Sequence, residues 1–390
     1  MYRFLKKHRW VILAAGAAIQ VLTGVPAAWG VFRAAVAAQY QYGQSASVTI
    51  FSLTIAFFGI GCVIGGYVQD AKGPRVAGLM GAVLLSAGFC TAAFLPEAKP
   101  YLFYICYSVP VGLGCAFLYP AVMSTAQKWY ADKKGLATGI VGGAVGASGA
   151  VLTICGRFLI DNVGIRWTLF ILGCVMLVVC GIGAAILQNP KDEKINDGKE
   201  KNYTVLQMLK TPQYYELFAI ASLATPSVLL FSPVIVELAQ QRGLSEKAAL
   251  LTIIIGSVFS AAGRLLMPWL SDKIGRRYTD MIIFAVMAAL SLWFMSANGV
   301  LVIIVYSLLT FCYSGEAAVL PAAASDLFGK RSAGVCYGFV ALGMSFGSVG
   351  FPFLAHCIGG GIAPHIIAVA AALCGLCICF IIKPTQGKRL

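Results

Sequence analysis

Two ionisable side chains stand in stretches of sequence otherwise too apolar for them: Arg264 within Ala248–Leu270 and Glu316 within Val300–Leu327. If those stretches cross a bilayer, a charge near the centre costs at least about 2.5–3.5 kcal/mol, so each needs a partner or a task. Arg264 lies roughly 9 Å of helix rise from the nearer end of its stretch, a long reach for snorkelling. The planar fork of an arginine matches a carboxylate through two parallel hydrogen bonds, which orient and neutralise it together. Ser260, one helical turn earlier, shares that face and offers a hydroxyl, unless it bonds only to its own helix. Two readings of Arg264 stay open: contact with an anionic substrate, or a permanent ion pair with Glu316 or another buried acid. Glu316 in turn is a proton-coupling candidate or the structural partner of Arg264. Other chemistry finds little support. His8, His356 and His365 are too scattered for a metal or nucleophile constellation, and no GxxxxGK[ST] phosphate loop is present. Cys374 and Cys377 have a CxxC spacing, but Leu373, Leu376 and Ile378 supply no polar support, so packing is the expected role. No metal and no cofactor is expected. These residue types are suited to holding an anion rather than to making or breaking bonds.

The elements that must position them follow from composition. Of 390 residues, 59% are hydrophobic and 11% charged, which excludes a water-soluble globule, and unbroken apolar runs such as Val300 to Phe311 exclude an alternating β-barrel. The net charge of +14 is spread in short groups between apolar runs, so no nucleic-acid partner is expected. Twelve stretches reach the roughly 20 residues that a spanning helix needs, from Trp10–Arg33 to Ile362–Ile382. Placing both termini in the cytoplasm puts 22 of the 29 Lys and Arg in inner segments and 4 in outer ones (Lys99, Arg166, Arg242, Lys247). Arg33 and Arg157 lie near outer helix ends, where snorkelling suffices. The basic opening Met1–Arg9 precedes a stretch too long for a signal-peptide core, so a retained first span is expected. The 13 cysteines sit almost wholly in apolar stretches and imply no disulfide framework. The glycines from Gly135 to Gly149, mostly three or four apart, predict close helix packing in span five.

The polar segment between spans six and seven divides the chain into six-span halves, 1–187 and 213–390, joined by a cytoplasmic linker at 188–212. The halves repeat a signature. Gly66-Tyr67-Val68-Gln69-Asp70-Ala71-Lys72-Gly73-Pro74-Arg75 follows span two, and Pro268-Trp269-Leu270-Ser271-Asp272-Lys273-Ile274-Gly275-Arg276-Arg277 follows span eight. The acid, the turn glycine and the final cation keep the same spacing. Gly66, Asp70, Gly73, Arg75, Asp272, Gly275 and Arg276 are therefore expected to form paired cytoplasmic gating loops. This pair resembles the signature of the major facilitator superfamily, although the second copy has Pro268 where glycine is usual. The resemblance implies an all-α membrane protein of two six-helix bundles rocking about a central cavity. A narrower set is similar to the oxalate:formate antiporters and monocarboxylate transporters: Ala28-Trp29-Gly30-Val31-Phe32, the run Lys128 to Gly139, Ser260-Ala261-Ala262-Gly263-Arg264, Phe311 to Glu316, and Tyr337-Gly338-Phe339-Val340.

That resemblance assigns Arg264 to the substrate carboxylate and places Tyr119, before Pro120, at the cavity. It puts asparagine in most relatives where Ser260 stands. Aligned from Tyr337, it brings Met344 to the place where oxalate carriers have a buried lysine. A dianion in a low-dielectric cavity needs about two positive charges and a monoanion about one. The expectation is a secondary carrier of a monocarboxylate such as lactate, pyruvate or formate by proton symport, with oxalate:formate-type antiport as the alternative. It is a multi-pass protein of the cell membrane, acting as a monomer. A drug exporter of this fold would carry a glycine-proline pair in span five, where Val145-Gly146-Ala147-Ser148 stands. A membrane sensor would need a signalling domain longer than the linker.

Overall fold

The computed structural model describes residues 7–130, 134–190, 203–329, 333–359 and 361–381. Residues 191–202 of the linker expected at 188–212 lie outside them. Within the described residues the chain is helical, with eleven segments long and apolar enough to cross a membrane. One of them, Leu136–Ile186, has 51 residues, and its backbone leaves helical geometry at Gly164 (φ 76, ψ 168). Val141 and Gly183 both pack on the 14-residue helix Trp10–Thr23, against Gly16 and Ile19 respectively. A straight helix would hold them about 63 Å apart at 1.5 Å per residue. The indole of Trp129, just before this segment, donates to the Gln188 carbonyl just after it at 2.6 Å. The chain therefore reverses at Gly164, where a positive φ favours a residue without Cβ. The eleven segments are twelve spans.

The same backbone logic sets the other turns. Gly73 (φ 87) and Gly275 (φ 95) close spans two and eight at matching places. Pro74 then opens span three, where its missing N–H costs nothing. Spans one and seven are each interrupted near mid-length. Span one breaks at Gly24, before Val25–Tyr40 begins. Span seven breaks after Ala224, passing through Pro226–Leu229 and a 3-10 turn at Ser232–Val234 before Ile235–Gln241. Irregular backbone at membrane depth survives only where protein or a cavity satisfies it.

Spans two and eleven pack along each other across the halves, as do spans five and eight. Small residues make this possible: a Cβ on Gly66 would lie 2.7 Å from the Gly334 carbonyl oxygen, and one on Gly146 would meet the Ala261 backbone. The outward-facing surface is rich in Phe158, Val178, Trp293 and Phe353, all largely exposed, as suits helices facing lipid.

Candidate functional site

A cavity of about 150 Å³ lies between the halves, lined from the first by Thr54, Phe58 and Tyr119 and from the second by Ser260, Arg264 and Tyr313, with Tyr306, Tyr337 and Met344 completing that wall. Both interrupted spans reach it, through Thr23 and Gly24 of span one and Val228, Leu229 and Ser232 of span seven. Span eight supplies Ser260 and Arg264 on one face because they are four residues apart.

Arg264 is the one ionised side chain on the lining among the described residues. It has no ion-pair partner among them, and its Nε is buried without a hydrogen-bond acceptor. Its guanidinium lies beside the Tyr119 hydroxyl and within electrostatic reach of Tyr313 and Tyr337. Tyr119 is held by an edge contact with Phe58 (centroids 6.0 Å apart) and by Tyr337 (6.5 Å). A cation with unused donors, ringed by hydroxyls on apolar walls, can take a carboxylate and shield its hydrocarbon part.

Among the residues expected from sequence, Arg264, Tyr119, Ser260 and Met344 meet at this cavity. Three readings are corrected. Ser260 is not bonded merely to its own helix, because its hydroxyl shares a 2.6 Å hydrogen bond with Ser314 of span ten. Arg264 is not the ion-pair partner of Glu316, which lies outside the cavity lining, 1% exposed, within electrostatic range of Asp280 in span nine. Nor does Arg33 snorkel: it is buried and paired with Glu237 at 2.8 Å. Arg157 stays half exposed, bridging Asp161 and Glu246 at 3.0 Å each. Tyr306, Tyr313, Tyr337 and Thr54 had no assigned role in the sequence analysis. The Gly24-Val25-Pro26 and Thr225-Pro226 interruptions, at corresponding places in the two halves, were the legible signal for their cavity.

The repeated loops are built differently. The Asp70 carboxylate sits at the start of span eleven, accepting from the Val335 amide and packing on Gly334, so the first copy joins the halves. In the second copy Arg276 binds Asp272 (2.6 Å), Asp326 (3.3 Å) and the Ser271 hydroxyl, all within its own half. Arg75 is exposed and makes no ion pair among the described residues. The halves also touch at the opposite face, through Arg33–Glu237, through Arg157–Glu246 and where Gly30 meets Ile253. The cavity is thus bridged at both ends.

Twelve spans in two halves about a central cavity are an arrangement found in secondary transporters. The chain matches the Major Facilitator Superfamily over residues 22–352 and 217–388, and it belongs to that family. It is 26% identical to the MFS-type transporter YhjX of Escherichia coli (strain K12) over 88% of this chain and 87% of that one. It is also 26% identical to the oxalate:formate antiporter of Oxalobacter formigenes over 85% and 80%, and 25% identical to human monocarboxylate transporter 11 over 73% and 61%. Among solved structures, a D-xylose-proton symporter superposes with a TM-score of 0.70 at 18% identity, covering all of both chains. That likeness concerns the fold.

Proposed function

We propose that this protein carries small monocarboxylates such as lactate, pyruvate or formate across the cell membrane in symport with protons, by alternating access, acting as a monomer with both termini cytoplasmic. The observation that carries the reading is Arg264, an unpaired guanidinium that is the single ionised group on the lining among the described residues. One cation neutralises one carboxylate, and Tyr119, Tyr313 and Tyr337 supply hydroxyls around it. The thioether of Met344, on the same lining, contacts the apolar part of the substrate. At about 150 Å³ the space is small beside the roughly 300–1,000 Å³ of drug-sized pockets, which argues against the drug-exporter reading. The 22 basic residues of the linker-side segments support a cytoplasmic position for that face.

A second reading is antiport of the oxalate:formate kind, which the similarity to the Oxalobacter formigenes antiporter favours. Uptake of labelled lactate into proteoliposomes, with and without an inward proton gradient, tests the first reading. Oxalate is offered as competitor in the same assay. Gradient-driven accumulation is expected, with lactate displaced by pyruvate at lower concentration than by oxalate. Oxalate displacing lactate at equal or lower concentration would show that one cavity cation does not set substrate charge.

A further inference from the structure

The second half holds a pair of buried acids that the substrate cavity does not use. Asp280, near the start of span nine, is 5% exposed and Glu316 of span ten is 1% exposed, and the two lie within electrostatic range of each other. Every charged or titratable group facing them is otherwise engaged or adds no positive charge. On span nine, Arg276 reaches Asp280 but is held by Asp272, Asp326 and Ser271. Arg277 donates to the carbonyls of Cys379 and Phe380 at 2.8 and 2.7 Å. Span seven presents another acid, Glu216, and span twelve the Cys379 thiol. Tyr313 of span ten and Tyr337 of span eleven lie within range of Glu316 and also line the substrate cavity. Glu316 Oε1 is buried without any hydrogen-bond partner. A separate cavity of about 20 Å³, lined by Gln213, Glu216, Arg276, Arg277 and Asp280, sits on the linker-side face. That is room for one water, which needs about 10–15 Å³ of such volume.

The two carboxylates repel each other, and burial has removed most of the hydration of each. A metal ion would need several more oxygen ligands, and no group of three or more His, Cys, Asp and Glu among the described residues is placed to hold one. A proton is the remaining compensation. It removes one of the two negative charges, and with it their mutual repulsion. We infer that Asp280 and Glu316 form a proton-binding pair that exchanges with the linker-side face through the cavity at Glu216 and with the substrate cavity through Tyr313 and Tyr337. The inference rests on the proton-coupled reading of function and gives the proton a path separate from that of the carboxylate. A proton arriving from the cavity passes to Glu316 as a tyrosine hydroxyl gives up one hydrogen and regains another. It moves to Asp280 and leaves through the linker-side cavity, so that the pair returns to its starting charge. Arrival of the anion at Arg264, on the far side of the same tyrosines, alters the field at Glu316 and links the two movements.

The test uses reconstituted full-length protein. In Glu316→Gln and Asp280→Asn, gradient-driven lactate accumulation is expected to be lost while lactate counterflow without a gradient continues. Glu216→Gln is expected to slow accumulation without abolishing it. Dicyclohexylcarbodiimide, an apolar reagent that modifies protonated carboxyls, is expected to label Asp280 or Glu316 of the wild type at neutral pH, read by peptide mass spectrometry, and to spare exposed acids such as Asp272. Wild-type accumulation that ignores the gradient overturns the proton-coupled reading. Accumulation that is present in the wild type and undiminished in both buried-acid variants overturns the pair alone. An unlabelled pair overturns it whichever way transport behaves, and that measurement needs no variant to fold.

Discussion

Arg264 combines a charge with a geometry, and the two separate by substitution. Arg264→Lys keeps the charge but replaces a planar fork with a single compact ammonium. Uptake efficiency (kcat/KM) is expected to fall by at least about tenfold, which corresponds to about 1.4 kcal/mol, while the thermal stability of the purified protein stays close to wild type. Unchanged uptake kinetics would remove Arg264 from the substrate. The complementary change is Met344→Lys, which adds a second cation to the same wall. It is expected to shift competition toward oxalate, measured as a lower concentration of oxalate for half-displacement of lactate. Arg264 was legible in the sequence because a charge in an apolar span is costly wherever it stands, and Tyr119 and Met344 through likeness to carriers of known kind. Tyr306 and Tyr313 were not, because a tyrosine in an apolar span reads as packing until the partner of its hydroxyl is known. Asp280 was hidden for another reason: three residues beyond Arg276 and Arg277, it reads as part of a charged turn, and only the fold buries it beside Glu316.

The helices are placed by where the backbone comes close or breaks. Gly66 meets Gly334 so closely that any side chain would collide with backbone rather than with a flexible tip. Gly66→Val is therefore expected to hold the halves apart at the linker-side face, stopping turnover while substrate binding persists. Lactate protection against thermal unfolding, measured beside uptake, separates these effects, and full turnover in the variant would show that this contact need not close. The repeated loops show the limit of a motif. Spacing correctly marked both turns, yet Asp70 crosses to span eleven while Arg276 braces Asp326 in its own half. Sequence likeness carries the turn geometry, which depends on Gly73 and Gly275, but not the partner, which depends on the helix that happens to lie opposite. The breaks in spans one and seven lay open in the sequence as glycine and proline at corresponding places. Hydropathy alone passes over them because the surrounding residues remain apolar.

At the scale of the molecule, contacts at both faces hold the halves together around the cavity, and the proposed alternating access requires them to be of comparable strength. On the linker side, the Asp70 carboxylate lies at the amino end of span eleven, an interaction worth about 0.3–1 kcal/mol when exposed and up to about 2 kcal/mol when partly buried. On the other face, Arg33 is buried and Glu237 about one-third exposed, so their pair is screened on one side only. Weakening either set by about 1 kcal/mol shifts the balance of open states by about fivefold. Asp70→Asn should therefore favour opening at the linker-side face, and Glu237→Gln opening at the opposite one. Cys115 supplies a native reporter, since its thiol lines the cavity and is nearly inaccessible in this closed arrangement. Membrane-impermeant maleimide added from the linker side should label Cys115 faster in Asp70→Asn, and from the opposite side faster in Glu237→Gln, with mass spectrometry resolving that peptide from the other cysteines. Saturating lactate should slow labelling in both variants, because a carboxylate seated at Arg264 fills the space the reagent must enter. Labelling that rises from the same side in both variants would show that the two closures are not opposed and that the halves do not rock about this cavity.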